Sequence, residues 1–136
     1  MKERREIPRD PTERIARISS CEFALGNGMR VETSDEEEVR VSMDLDGKLN
    51  GFGTGHGGAI FALADQAFAL IVNKGPDPQV AMSASINYLK PATGPLTAIA
   101  RKVKDDEKTS VCKVDVLQKG VKIAEFEGIG YKLKRR

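Results

Sequence analysis

The strongest pattern in the chain is a long apolar block followed by strict alternation. From Gly57 or Gly58 to Val72 nearly every position is apolar, and only Asp65 and Gln66 interrupt it. A run with no polar side predicts a helix enclosed on most sides, stopped by Asn73-Lys74-Gly75-Pro76. Before it, Val39, Val41, Met43 and Leu45 alternate with Arg40, Ser42 and Asp44. That is a strand with one buried face, ended by Asp46-Gly47. After the helix everything reads as sheet. Val80, Met82, Ala84 and Ile86 form one face of a strand and Ala81, Ser83, Ser85 and Asn87 the other. Leu96, Ala98 and Ala100 mark the next strand, and Cys112, Val114 and Val116 the one after. The turns between them fall at Pro91 to Pro95, at Asp105-Asp106-Glu107-Lys108 and at Gln118-Lys119-Gly120. A last strand runs to about Leu133, and its alternation slips around Gly128, which predicts a bulge there.

The first third is less regular. Asp10-Pro11-Thr12-Glu13 is a helix start, with Asp10 as cap and Pro11 in the first turn. A short helix over 11–18 follows. Residues 21–35 read as two short extended pieces around a Gly26-Asn27-Gly28 turn. Five or so strands with one apolar face each need something to cover, and one apolar helix needs a wrapper. The economical arrangement is an α+β fold, a curved antiparallel sheet wound around a long central helix. No repeat or linker divides the chain, so residues 1–136 are expected to form a single domain.

Composition changes this picture little. A net charge of +2 argues neither for nor against nucleic acid, and no nucleic-acid partner is expected. Basic residues gather at the ends, as Lys2, Arg4 and Arg5 and then Lys132, Lys134, Arg135 and Arg136. They read either as solvated tails or as contacts for a phosphate-bearing ligand. Cys21 and Cys112 lack the spacing of a metal clip or redox pair, and with one histidine no metal site is expected. The charged N-terminus, with no apolar run behind it, is not expected to act as a signal peptide. The apolar stretch Ala59 to Val72 falls short of the roughly 20 residues that span a bilayer. The expectation is a soluble, cytoplasmic protein with no membrane association.

The residue that stands out is Asp65, with Phe61, Ala62, Phe68 and Ala69 one helical turn away on either side. A carboxylate there is costly to bury unless it is paired or used. It either caps another element or pairs with a distant cation, or it serves as a general base or nucleophile. The second feature is the glycine-rich start of the same helix, Gly53, Gly55, Gly57 and Gly58. Free N–H groups at a helix start hold phosphate or stabilise a carbonyl oxygen as it gains charge. The pattern is neither a Walker loop nor a dinucleotide fingerprint. His56, the single histidine, is either structural or catalytic. Asn50 is either a turn residue or an amide donor to a carbonyl oxygen.

Spacing constrains how these groups combine. Gly57 and Asp65 lie about 12 Å apart along a helix that rises 1.5 Å per residue. A base and an oxyanion donor must each sit about 3 Å from the reacting atoms. Two helices facing each other across a two-fold axis bring Asp65 of one subunit to the helix start of the other. If both residues are catalytic, the protein works as a dimer.

The chain resembles the hotdog-fold thioesterases of the phenylacetate-pathway (PaaI-like) type. Their pattern Asn-x-x-Gly-x-x-His-Gly-Gly followed by Leu-x-Asp reads here as Asn50, Gly53, His56-Gly57-Gly58, then Leu63-Ala64-Asp65. Asn87-Tyr88-Leu89-Lys90-Pro91-Ala92 is similar to their aromatic-Leu-Arg-Pro-Ala segment. The resemblance covers roughly residues 38–131. It implies the hotdog fold and hydrolysis of an acyl-CoA to acid and CoA, with no cofactor beyond the CoA of the substrate. Asp65 would activate water or attack the thioester, and the Gly57 N–H, with Asn50, would polarise its oxygen. His56 would shape the loop and hold Asn50. Gly58, Phe61, Phe68, Ser83 and Lys90 would contact substrate, the two rings against the acyl group. Lys90, Arg101 and Lys132 to Arg136 would be candidates for the CoA phosphates. Homodimers, and pairs of them as homotetramers, are implied. The chain departs from the pattern at Ala81, where many members carry Thr or Ser. Ser83, two residues on and on the same face of a regular strand, is the expected substitute.

Two other classes share this fold. Hydratases and dehydratases of acyl thioesters place Asp and His together in a different local pattern. A non-catalytic acyl-CoA sensor would bind without releasing thiol. It usually carries a DNA-binding segment, for which the first 20 residues are too short.

Overall fold

The computed structural model of the protein describes residues 6–134. Helix α1 (Pro11–Ser19) starts as expected, with Asp10 accepting a hydrogen bond from the Glu13 N–H at 2.9 Å. It is followed by α2 (Glu22–Gly26), β1 (Arg30–Ser34), β2 (Val39–Met43), α3 (Gly57–Val72), β3 (Gln79–Tyr88), β4 (Leu96–Asp105), β5 (Thr109–Gln118) and β6 (Val121–Lys132). The strands form one antiparallel sheet in the order β1-β2-β4-β5-β6-β3. It packs around α3, whose Leu63, Ala64, Ala67, Phe68, Leu70 and Ile71 meet Val41, Met43, Ala98, Val114, Val116 and Phe126 in one core.

The wrapper leaves one side of α3 uncovered. Gly58 is exposed, and Phe61, Ala62, Asp65 and Ala69 are half-buried, spaced three or four residues apart along one face. Helix α1 covers the adjoining side, where the Gln66 amide donates to the Ile18 carbonyl at 2.8 Å.

Three details differ from the sequence reading. The first of the two pieces expected to be extended within 21–35 is the helix α2. It ends at Asn27, and Gly28 takes a positive φ of 66° to turn the chain into β1. The second piece is β1, the sixth strand of the sheet. Gly128 is no bulge: it pairs in register with Ala84 and Cys112. It is glycine because a Cβ there would sit 2.7 Å from the Phe68 ring. The bulges lie elsewhere, and one is in β3. Ala81 pairs with Gly130 and Ser83 with Ile129, so Met82 is an extra residue. Neighbouring residues on β6 point to opposite faces, which puts Ser83 on the face opposite Ala81. The continuous apolar face expected from Val80 through Ile86 is therefore broken. Ile86 packs on the core, while Val80 and Met82 (62% exposed) stand open on the edge strand.

Candidate active site

The site begins in the loop ahead of α3. The Asn50 carboxamide closes that loop on itself. Its Oδ1 accepts from the N–H groups of Phe52 (2.9 Å) and Thr54 (3.1 Å), and its Nδ2 donates to Thr54 Oγ1 at 3.0 Å. Gly53 completes the turn with φ 80°. The expectation that His56 holds Asn50 is corrected: Thr54 and the loop backbone do. Gly55 then passes under Ala92, where an added Cβ would lie 2.9 Å from the Ala92 side chain, and its N–H donates to the Ala92 carbonyl at 2.8 Å. This close approach fixes where the helix begins.

His56 is the N-cap of α3. Its Nδ1 accepts from the Gly58 N–H at 2.9 Å, which assigns the ring proton to Nε2. The cap takes up Gly58. Gly57 is the first helical residue, and its N–H has no hydrogen-bond partner among the described residues. It opens into a groove of about 370 Å³ lined by Asn50, Gly57, Ile60, Tyr88, Leu89 and Lys90. The unpaired N–H and the positive end of the helix dipole make this groove suited to an oxygen carrying negative charge.

Asp65 lies two turns further along α3, on its uncovered side. It is half-buried and has no hydrogen bond or ion pair among the described residues. Burial holds its carboxyl above the usual carboxylate range. No cap or distant cation accounts for it. Asp65 is not among the residues lining the groove at Gly57.

The other expected site residues divide. Lys90 is exposed and shares the groove with Gly57 and Asn50. Phe61 is half-buried and meets Phe126 edge-on at 5.3 Å. Phe68 is 1% exposed and serves the core, so it is not free to contact a ligand. Ser83 loses the reason given for it, because the Met82 bulge turns it to the other face. Arg101 pairs with Glu38 at 3.5 Å and borders a larger groove, about 470 Å³, lined by residues of β3 to β6 and lacking Gly57, Asn50 and Asp65. Lys132 is engaged by Asp105 at 2.5 Å, near the far end of β3, where it pairs with Gln79. Arg135 and Arg136 lie outside the described residues, as do Lys2, Arg4 and Arg5. Among the described residues no group of three or more His, Cys, Asp or Glu is placed to hold a metal. Among the described residues no helix is long and apolar enough to cross a membrane.

Two contributors escaped the sequence reading. Thr54 follows Asn50 by four residues, the spacing of a side chain that closes a tight loop. Tyr88 was read only as an aromatic, yet its Oη donates to the Gly57 carbonyl at 2.9 Å.

A sheet wrapped around one long helix, with a glycine-rich loop at the helix start and a lone carboxylate within it, is the hotdog arrangement. The profile of the acyl-CoA thioesterase N-terminal domain family matches residues 45–130. Acyl-coenzyme A thioesterase PaaI of Escherichia coli K12 is 32% identical over 84% of this chain and 83% of its own length. The chain therefore belongs to the PaaI-like family of hotdog-fold acyl-CoA thioesterases. Among solved structures, a mutant of the phenylacetic acid degradation protein PaaI from Thermus thermophilus superposes with TM-score 0.78 at 32% identity. That match covers 82% of this chain and 98% of the other. The E. coli PaaI structure gives 0.81 at 29% identity over 88% and 89%. A thioesterase protein from Streptococcus pneumoniae, solved with coenzyme A, gives 0.73 at 28% identity over 79% and 90%. Family membership supports thioester hydrolase activity on acyl-CoA.

Proposed function

We propose that this protein hydrolyses an acyl- or aryl-acyl-CoA to free acid and CoA in sites shared between two subunits. In each site Asp65 of one subunit acts as general base or nucleophile. The Gly57 N–H of the other receives the thioester oxygen, assisted by the second Nδ2 hydrogen of Asn50. The observation that carries this reading is the state of α3: its two unpartnered polar groups, the Gly57 N–H and the Asp65 carboxylate, are about 12 Å apart along the axis. One carbonyl cannot reach both within a single chain. The uncovered side of the helix and the open edge strand β3 are the surfaces for a second copy. Lys90, in the groove beside Gly57, is the cation for a CoA phosphate, and Phe61 is the ring against the acyl group. Free thiols at Cys21 and Cys112 agree with a reducing, cytoplasmic setting.

Half of each site in such a dimer comes from each chain, so complementation tests the arrangement. Asp65→Ala and Gly57→Val homodimers should each be nearly inactive in free-thiol release from a panel of acyl-CoA esters. Unfolded and refolded together, they form mixed dimers in which one of two sites is intact. Half of the dimers are mixed, so about a quarter of wild-type turnover returns. A mixture as inactive as its components would place the site within one chain.

A further inference from the structure

The Gly57 N–H has to point at a developing oxyanion, yet it belongs to a glycine at a helix start, where the backbone is least restrained. Its own peptide group and the one on either side are nevertheless held. The Gly57 N–H shares its peptide plane with the His56 carbonyl, which accepts from the N–H groups of Ala59 (3.0 Å) and Ile60 (3.1 Å), and in the preceding peptide group the His56 N–H donates to the Lys48 carbonyl at 2.9 Å. On the C-terminal side, one peptide group is gripped at both ends by side chains. The Gly57 carbonyl accepts from Tyr88 Oη at 2.9 Å, and the Gly58 N–H donates to His56 Nδ1 at 2.9 Å. The Tyr88 ring also lies 3.3 Å from where a Gly57 Cβ would be, so it holds the residue from the side as well.

We infer that Tyr88 and His56 are a paired clamp on the Gly57–Gly58 peptide, and that they position the oxyanion-binding N–H without themselves reacting. This rests on the proposed thioesterase reading of the same site. The two residues come from different elements. His56 arrives from the loop ahead of α3. Tyr88 comes from the last position of β3, paired with Ala124 of β6. The clamp thus ties the helix start to the sheet, and a shift of the β3 end is transmitted to the direction of one N–H. A misdirected donor stabilises the transition state less while binding the ground state nearly as well. The signature of a lost clamp is therefore a fall in kcat with KM preserved.

The test is steady-state thiol release by the full chain carrying Tyr88→Phe, which keeps the ring wall and removes only the hydroxyl. The expected result is a loss in kcat on the order of tenfold, with KM within about twofold. His56→Ala should do the same, and His56→Asn, which supplies a capping oxygen in place of the ring nitrogen, should restore most of that loss. The double variant Tyr88→Phe/His56→Ala should lose less than the product of the single losses, because both act on one peptide group. A Tyr88→Phe enzyme with wild-type kcat, a loss confined to KM, or strict additivity would each overturn the clamp. If the wild type itself releases no thiol from any ester, the thioesterase reading fails. The clamp is then judged by amide hydrogen exchange: faster exchange of the Gly58 N–H in Tyr88→Phe upholds it and unchanged exchange removes it.

Discussion

The two ends of α3 are treated in opposite ways. At the C-terminal end side chains supply donors to the carbonyls of Ala69, Asn73 and Gly75. Arg14, from α1, is 2% exposed and donates Nε (3.1 Å) and Nη2 (2.9 Å) to the Asn73 carbonyl, with Nη2 also reaching Gly75. Its Nη1 donates to the carbonyls of Pro8 and Arg9 at 3.1 Å each. Asn73 adds a second cap, giving Nδ2 to the Ala69 carbonyl at 2.8 Å and accepting the Gln79 N–H at 2.8 Å. A guanidinium with no carboxylate within ion-pair distance among the described residues is thereby buried among carbonyl dipoles, which also suit it to the negative end of the helix. At the N-terminal end the cap is incomplete, since His56 satisfies Gly58 and leaves Gly57 open. The closed end stabilises the fold, and the open end keeps a donor for a ligand. A helix N–H left unpaired beside a groove is where the proposed function would use a donor that folding does not.

Substitutions at the two ends should therefore separate stability from activity. The largest effect is expected from Arg14→Met. It preserves much of the volume but strips the donors from four carbonyls, at a cost of about 2–4 kcal/mol by urea denaturation. Turnover per folded molecule should be unchanged, because the open end lies about 24 Å away along α3. A fall in kcat equal to the fall in stability would erase the distinction. Gly57→Ala is the converse and smaller case. Alanine suits the first turn of a helix at least as well as glycine, and the Tyr88 ring must give by a few tenths of an ångström. Stability should stay within about 0.5 kcal/mol of wild type. Turnover should drop on the order of tenfold, as the methyl group crowds the N–H.

The smallest effect concerns the sign of a pH dependence. Burial raises the Asp65 carboxyl above its unfolded value. The folded state therefore holds this proton to higher pH than the unfolded chain does. Its contribution is fully present below the ordinary carboxylate range and is lost as pH rises through the raised value. Asp65→Asn, which cannot ionise, should gain stability relative to wild type on going from acid to neutral pH, as read by paired thermal melts. The opposite slope would mean that Asp65 has a favourable partner when ionised.

Much of this was readable in the chain. The bounds of α3, the Asp10 cap and the strand alternations follow from local periodicity and capping chemistry. The pairing of Gly57 with Asp65 as unlike groups on one helix needed only residue spacing. What was missed depends on contacts distant in sequence. The Met82 bulge follows the register β3 takes against β6, and it moved Ser83 to the wrong face. Phe68 looked like any other ring near Asp65 until the sheet closed over it. Arg14 carried a faint signal, since it shares a helical face with Pro11 and Ile18, but two of its acceptors, Asn73 and Gly75, lie far along the chain. Tyr88 was visible as an aromatic, and only the fold reveals that its hydroxyl has a task.

The contact between Phe68 and Gly128 links the history of two distant positions. With the ring edge 2.7 Å from where a side chain would begin, residue 128 cannot grow while residue 68 stays phenylalanine. A smaller residue at 68 opens a hole that a methyl or larger group at 128 would fill. Neither change is tolerated well alone, and together they exchange one packing solution for another. Relatives that replace this phenylalanine should therefore also be those that have lost the glycine, and a chimera joining a helix from one set to a sheet from the other should fold poorly.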